Sequence, residues 1–166
     1  IQVLTLGDNY AERLQGEALE AWQLLCDEGV VADPWAEATR YTGEVVVDAL
    51  LGTGLNGPVR GDFETAIEQI NRSGLPVLAV DIPSGICADS GAVLGRAVIA
   101  NMTVSFIGLN RGLLTHQAVD HTGELVFDSL RVSDAVYDQV PVSLFRTAEE
   151  DLRARSGARA RSSHKG

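Results

Sequence analysis

An α/β fold with a mostly parallel sheet is what the sequence predicts, on two observations. Short apolar, β-branched runs alternate with amphipathic stretches of ordinary helix length. Two of the runs, 45–51 and 75–80, are almost continuously apolar, which is typical of strands buried on both faces of a parallel sheet. Because strands that alternate with helices pair in parallel, and 166 residues suit one domain, we expect a single α/β domain.

The first half of the chain opens with a predicted strand at 1–6, where apolar and polar residues alternate. A helix is predicted at 16–28, because apolar residues recur there at intervals of three and four. They are Ala18, Leu19, Trp22, Leu25 and Cys26. The Cys26 thiol is therefore expected to be buried. A short extended segment and a turn follow at 30–34.

The second half of the chain continues the alternation of strands and helices. Asp62 is predicted to cap a helix at 63–71 by accepting hydrogen bonds from the first amide groups of that helix. Strands are predicted at 75–80, 102–106 and 125–127.

Charge and composition argue against two classes of protein. A net charge of −10 opposes phosphate binding over a broad surface, so we expect no nucleic-acid partner. No apolar run approaches the roughly 18 residues that span a bilayer, so we expect no membrane partner. Two cysteines outside any zinc-binding spacing favour a reducing, cytoplasmic location. The basic segment 146–166 is either a solvated linker or a binder of polyanions.

Two predicted strands end in an acidic residue followed by a loop of small residues. Asp48 precedes A-L-L-G-T-G-L-N-G-P, and Asp81 precedes I-P-S-G. Ligands of open parallel sheets bind beyond the carboxyl ends of the strands, where such loops converge. We therefore expect Asp48 and Asp81 to face one crevice.

The glycine-rich loop after Asp48 resembles two phosphate-binding motifs but completes neither. The lysine and hydroxyl residue of a P-loop are absent. The spacing G-x-G-x-x-G is present at Gly52, Gly54 and Gly57, yet P-V-R-G-D follows where a dinucleotide fingerprint needs a helix. Two interpretations stay open: a backbone cradle for phosphate, or tight turns with glycines at positive φ.

Three side chains in these loops are candidates for chemistry. Asp81 is held by a stiff proline turn and either acts as an acid or base or accepts loop amide groups. Asp48 lies in an apolar run, where a lone carboxylate is costly unless a cation or hydrogen bonds compensate it. Ser84 offers another oxygen for such a cation. The histidines, His116, His121 and His164, are expected to be loop or surface residues.

Four motifs, in order, resemble those of the YjeF N-terminal domain, the NAD(P)HX epimerase family. They are V-V-D-A-L-L-G-T-G-L-N-G-P-V-R-G, V-L-A-V-D-I-P-S-G-I-C-A-D-S-G, T-V-S-F-I-G-L-N-R-G-L-L-T-H-Q-A and G-E-L-V-F-D-S-L. The resemblance extends over about 1–132. It implies a Rossmann-like three-layer α/β/α fold and an enzyme that interconverts the R and S hydrates of NADH and NADPH.

The resemblance also implies a role for each candidate residue. Asp48 and Ser84 would bind a potassium ion, and Asp81 would contact the substrate and act as acid or base at the hydrated ring. The hydrated dinucleotide would lie against the backbone of the glycine-rich loop, which comprises Gly52, Thr53, Gly54, Leu55, Asn56, Gly57 and Pro58. A homo-oligomer is expected.

The chain departs from the family pattern in three places. The first central strand of the sheet and its G-x-G-N-N-G-G-D-G loop would precede Ile1, with the strand placed between the Ile1 strand and the Asp48 strand. The segment 146–166 would be a linker and the start of an ATP- or ADP-dependent dehydratase domain, so that 1–145 is the epimerase domain. Asn110-Arg111 stands where relatives often have Lys-Pro. We therefore expect the 166 residues alone to fold poorly or to lack activity.

Two other functions remain as alternatives. The same domain occurs in decapping scaffolds, where it dimerises and binds RNA without catalysis. The acidic charge and the intact D-I-P-S-G and G-T-G motifs argue against that role. A dinucleotide-binding oxidoreductase would need a helix after the glycine loop, which the sequence does not predict.

Overall fold

A computed structural model describes residues 1–7, 9–140, 142, 144–145 and 147, and the chain divides into two compact units, 1–131 and 132–166. The first unit contains two sheets, both parallel. In the smaller sheet β1 (Val3–Thr5) pairs with β2 (Ala32–Pro34), and helix α1 (Glu17–Asp27) lies between them in sequence. The predicted α/β class with parallel pairing is confirmed.

The larger sheet has four parallel strands whose spatial order follows the chain. They are β3 (Val46–Asp48), β4 (Val77–Val80), β5 (Met102–Phe106) and β6 (Glu124–Asp128). Helix α2 (Asp62–Arg72) joins β3 to β4, and the one-turn helix α3 (Val119–Thr122) precedes β6. Each predicted strand of this sheet is present, with its ends shifted by a few residues at most.

The second unit is described only in part. It contains the short helix α4 (Asp134–Tyr137), which begins after Ser133. The predicted domain boundary at 145–146 and the basic tail fall largely outside the described residues. No helix within the described part of the chain is long and apolar enough to cross a membrane.

One face of the larger sheet is covered by α2 and by the loops that follow β4. Helix α2 buries Ala66, Ile67 and Ile70, and the last two belong to one core cluster with Val77 of β4. Because side chains alternate along a strand, the buried face of the sheet also carries polar residues at its carboxyl end. These are Asp48, Thr103 and Ser105, each at most 1% exposed.

The opposite face of the larger sheet is mostly apolar and only partly covered by the described residues. We call it the open face, and its apolar residues are Val47, Leu78, Val80, Met102, Val104, Phe106 and Val126. None of them is fully buried, and Val47 remains 56% exposed. The prediction that strands 45–51 and 75–80 are buried on both faces is therefore wrong, because an apolar run does not show what packs on each side of it.

A gap separates the two sheets. Within the described residues β1 pairs only with β2, and β3 pairs only with β4. A cavity of about 600 Å³ lies between these strands, lined mainly by apolar residues of both and by Ala66 and Ile70 of α2.

Two local predictions are wrong. Cys26 is exposed although it lies on the same helix face as Leu19 and Trp22, because the described residues pack only loosely against α1 and bury none of its residues. Asp62 does not cap α2 with its side chain, since Gly61, at φ 61°, holds the cap position and its carbonyl accepts the Thr65 amide at 3.1 Å. Asp62 is instead the first helical residue, where its negative charge opposes the helix dipole favourably.

Candidate active site beyond strands β3 and β4

Asp48 and Ser84 form a buried pair at the carboxyl end of β3. The Ser84 amide donates to Asp48 Oδ2 at 2.8 Å, and the Ser84 hydroxyl donates to Asp48 Oδ1 at 2.6 Å. The Leu50 amide also donates to Oδ1, at 3.3 Å. Asp48 is 1% exposed and Ser84 is fully buried. The structure thus brings together the two residues that the sequence analysis names as oxygen donors for a cation.

The Asp48 carboxylate is the most costly charge of this site. Burial raises the pKa of Asp48 above its ordinary value of 3.8, while the hydrogen bonds from Ser84 and Leu50 act in the opposite direction. No salt bridge formed by the described residues involves Asp48. The carboxylate therefore has hydrogen bonds but no countercharge among the residues described.

Ser84 also joins the loop after β3 to the loop after β4. The Leu51 amide donates to the Ser84 hydroxyl oxygen at 2.9 Å, and the Leu51 carbonyl lies 3.2 Å from the same oxygen. The Ser84 carbonyl in turn accepts the Val98 amide at 2.8 Å. Ser84 thereby fixes the start of the glycine-rich loop relative to the I-P-S-G turn.

Neither backbone conformation nor packing within the described residues requires glycine at the three glycine positions of the loop 52–58. None of Gly52, Gly54 and Gly57 has a left-handed φ, so the turn interpretation with positive φ does not hold for them. A Cβ added to any of the three would meet no atom within 4 Å. Leu55, by contrast, turns its side chain toward the core. The loop therefore presents bare backbone to open space.

Asp81 occupies a strained turn at the end of β4. Its φ is 66°, a left-handed conformation that few non-glycine residues adopt. The Asp81 amide donates to the Val104 carbonyl at 2.8 Å. Its Oδ1 accepts the Ser105 hydroxyl at 3.2 Å and the Phe106 amide at 3.3 Å. The half-buried Asp81 carboxylate thus accepts a backbone amide, as one of the two predictions states, although that amide belongs to β5 and not to a loop. Its action as an acid or base stays a prediction.

The two acidic residues occupy the same edge of the sheet but hold different partners. Asp48 binds the loop after β4, whereas Asp81 binds the end of β5, and no hydrogen bond within the described residues joins them. Ser105 is a member of the site that sequence reasoning missed. It lies 24 residues from Asp81, and no local spacing signals such a contact.

The donors around Asp48 suit a hard cation. A carboxylate, the Ser84 hydroxyl and the Leu51 carbonyl are all oxygen donors, the chemistry that alkali and alkaline-earth ions prefer. The described residues contain no cluster of three or more His, Cys, Asp or Glu side chains. Among the histidines, His116 is exposed and His121 bonds the Val98 carbonyl at 2.8 Å, while His164 lies outside the described part.

Known proteins resemble this chain over most of its length. The model of the family described as "YjeF-related protein N-terminus" matches residues 2–112. A protein of Coxiella burnetii named "Bifunctional NAD(P)H-hydrate repair enzyme Nnr" is 40% identical over 154 residues, which cover 93% of this chain and 32% of that protein. The protein of the same name from Escherichia coli is 40% identical over 132 residues, 80% of this chain and 25% of the relative.

A relative named for the epimerase alone also matches this chain. The "NAD(P)H-hydrate epimerase" of Legionella pneumophila is 37% identical over 97 residues, which are 58% of this chain and 36% of that protein. The chain thus spans between a quarter and just over a third of the length of these relatives. Because the family model matches well over half of the chain, the protein belongs to the family of YjeF-related protein N-termini.

Proposed function

We propose that this chain is the epimerase part of an NAD(P)H-hydrate repair enzyme, which interconverts the R and S forms of hydrated NADH and NADPH. The observation that carries the proposal is the open space over Gly52, Gly54 and Gly57, since the fold itself gives no reason for glycine there. A phosphate group of the dinucleotide can approach such backbone amides closely. The names of the relatives from three bacteria support the same substrate.

The roles of the side chains follow from their positions. The loop 52–58 binds the hydrated dinucleotide through its backbone. Asp81 faces the hydrated ring and acts there as acid and base, because epimerisation inverts one carbon and leaves the composition of the molecule unchanged. Asp81 gives a proton to the ring hydroxyl, which leaves as water, and the carbon that carried it becomes planar. Water then adds to the opposite face of that carbon and gives the proton back to Asp81, so the composition is restored with the configuration inverted. The left-handed turn at Asp81 fixes the carboxylate beyond the end of the sheet.

The buried pair of Asp48 and Ser84 would hold a potassium ion, with the Leu51 carbonyl as a further oxygen donor. The ion supplies the positive charge that the Asp48 carboxylate lacks among the described residues. Ser84 contacts both Asp48 and Leu51, so the pair that would hold the ion also fixes the substrate loop.

We also propose that a dehydratase domain follows this unit in the intact protein. The relatives from Coxiella burnetii and Escherichia coli are named bifunctional, and this chain matches only 32% and 25% of them. The epimerase would then convert one hydrate into the form that the second activity consumes.

To test the epimerase activity, the intact protein is incubated with a single NADHX epimer, and the appearance of the other epimer is followed by chromatography. Asp81→Asn should abolish equilibration while leaving the thermal midpoint close to that of the wild type. Asp89→Asn is the matched control, because the Asp89 side chain is 85% exposed and its one ion pair among the described residues is with Arg111. Unchanged activity of Asp81→Asn would remove Asp81 from the mechanism, and an inactive wild type would overturn the proposed function.

A thermal-shift titration with KCl tests the cation. Ions that bind the folded state alone raise the melting temperature by mass action. We expect KCl to raise it more than choline chloride at equal ionic strength, and Asp48→Asn to lose the difference. Equal responses to both salts would contradict a potassium site. The same titration with NADPH hydrate separates the enzyme from a scaffold, which would not respond to the hydrate.

A further inference from the structure

We propose that Ser105 positions the Asp81 carboxylate for the reaction. The inference rests on the proposed function and extends it to a residue on a neighbouring strand. Ser105 lies near the end of β5, and its hydroxyl donates to Asp81 Oδ1 at 3.2 Å. Ser105 would not touch the substrate and acts through Asp81 alone.

The end of β5 holds Asp81 through three consecutive residues. The Val104 carbonyl accepts the Asp81 amide at 2.8 Å, which extends the pairing of β4 with β5 by one residue. The Ser105 hydroxyl and the Phe106 amide then both donate to Oδ1, at 3.2 and 3.3 Å. Within the described residues no hydrogen bond engages Oδ2. One carboxylate oxygen is therefore anchored to the sheet, while the other is available to a ligand.

The burial of Ser105 shows that its hydroxyl has a specific partner. The residue is fully buried, where a hydroxyl is unfavourable unless it forms a hydrogen bond. Asp81 is the one partner found for this hydroxyl in the described part of the chain. An alanine would fill the same place in the sheet without that requirement. The hydroxyl thus serves the carboxylate rather than the packing of the strand.

Thr103 provides the internal comparison. It lies two residues earlier on the same face of β5 and is equally buried. Its hydroxyl donates to the Thr122 carbonyl at 2.7 Å, a contact with backbone that has no connection to Asp81. Thr103 therefore represents a buried hydroxyl with a purely structural role on the same strand.

The length of the hydrogen bond from Ser105 to Asp81 is consistent with a contact that tightens when substrate binds. At 3.2 Å the bond is longer than the roughly 2.5–3.0 Å typical of an O–H donor. Hydrogen bonds of catalytic groups are often long in the free enzyme and shorten when the substrate binds. Ser105 would then restrict the Asp81 carboxylate to one orientation without fixing it fully.

The test measures kcat and KM separately for a single NADHX epimer with the intact protein. Ser105→Ala should lower kcat by about tenfold or more, because a misplaced catalytic group loses rate steeply. KM should stay within about twofold, since the backbone contacts of the loop 52–58 are unchanged. Ser105→Thr should restore most of kcat, and Ser105→Cys, a weaker donor of similar size, should give an intermediate value.

Thr103→Val is the matched control. It removes a buried hydroxyl from the same strand, so it should lower the thermal midpoint but leave kcat close to the wild-type value. If Ser105→Ala keeps full kcat, or if Thr103→Val loses as much kcat as Ser105→Ala, then Ser105 has no positioning role. An inactive wild type overturns the proposed function and this inference together, whereas an active wild type with an unaffected Ser105→Ala overturns this inference alone.

Discussion

The glycines of this chain differ in what a side chain at their position would contact. At Gly54 a Cβ would meet nothing within 4 Å, whereas at Gly123 it would lie 2.3 Å from the Asn101 carbonyl oxygen, and the Gly123 φ is 62°. The first kind of glycine leaves room for a ligand, and the second is required by the fold.

Alanine substitution should separate the two kinds. Gly54→Ala should leave the free energy of unfolding unchanged or raise it by about 0.5 kcal/mol, because the unfolded chain loses freedom. It should nevertheless raise KM for the hydrate. Gly123→Ala should lower the free energy of unfolding by about 1–3 kcal/mol through overlap with backbone. Urea denaturation and steady-state kinetics measure both, and an unchanged KM in Gly54→Ala would contradict a substrate-binding loop.

The buried carboxylate of Asp48 should make stability depend on pH. Because its pKa is raised above 3.8 in the folded state, the folded protein binds this proton more tightly than the unfolded chain does. The stabilising contribution is complete below about pH 4, near the pKa of an aspartate in an unfolded chain. It is lost as the pH rises through the raised pKa of the folded state. Because the asparagine of Asp48→Asn cannot ionise, the stability of that variant should not fall with pH for this reason.

Denaturation at several pH values between 4 and 7, in buffer without potassium, checks the prediction. The wild type should lose stability relative to Asp48→Asn as pH increases. Parallel curves for the two proteins would show that burial does not alter the ionisation of Asp48. Added potassium should reduce the difference, because a bound cation favours the ionised carboxylate.

At the level of elements, α2 is tied to the segment after β2 through Gln69. Its side-chain oxygen accepts the Trp35 indole N–H at 2.9 Å and the Tyr41 hydroxyl at 3.2 Å. Its amide group donates to the Thr39 carbonyl. One residue of α2 thus satisfies polar groups of a loop that lies about 30 positions earlier in the chain.

Removal of that contact should loosen the smaller sheet from α2. Gln69→Ala leaves the Trp35 and Tyr41 donors without their partner, which should cost about 2 kcal/mol in the free energy of unfolding. Arg72→Ala is the control on the same helix, since its ion pair with Glu68 is exposed and is worth well under 1 kcal/mol. Urea denaturation monitored by tryptophan fluorescence measures both, and equal losses would refute the role of Gln69.

The strands and helices were easier to predict from the sequence than their caps, their burial and the contacts between them. The strands and α1 follow from β-branched runs and from a three-and-four spacing, which act over a few residues. The cap of α2 and the burial of Cys26 were predicted wrongly, because they depend on a glycine at positive φ and on what α1 packs against. Asp48 with Ser84 was predictable from the cost of a buried charge, but Ser105 was not, because strand pairing brings it to Asp81.

At the scale of the whole molecule, the open face and the gap between the sheets expose apolar surface. Val47 and Val80 are 56% and 37% exposed on the open face, although both belong to strands with β-branched, core-like sequences. Large contiguous apolar surfaces on a folded chain usually mark sites where other protein packs. The 166-residue chain should therefore expose more contiguous apolar surface than an ordinary monomer does.

We expect the 166-residue chain to bind the dye ANS and to self-associate as its concentration rises. Val47→Thr combined with Val80→Thr should lower dye fluorescence with little loss of stability, because threonine is compatible with strands. Val77→Thr, on the covered face and only 4% exposed, should instead destabilise the fold. A dye signal as low as that of a compact monomer, measured beside sedimentation velocity, would show that this surface is occluded in solution.

The left-handed backbone of Asp81 determines which substitutions at this position can be interpreted. Asparagine tolerates φ near 66° about as well as aspartate, so Asp81→Asn changes the charge and spares the turn. Asp81→Glu keeps the charge but adds backbone strain, so a slow Glu variant would not reveal which of the two slowed it. In a saturation library at position 81, we expect expression and turnover to rank the variants differently. Gly and Asn should be expressed well because they tolerate the left-handed backbone, whereas only Asp should give high turnover.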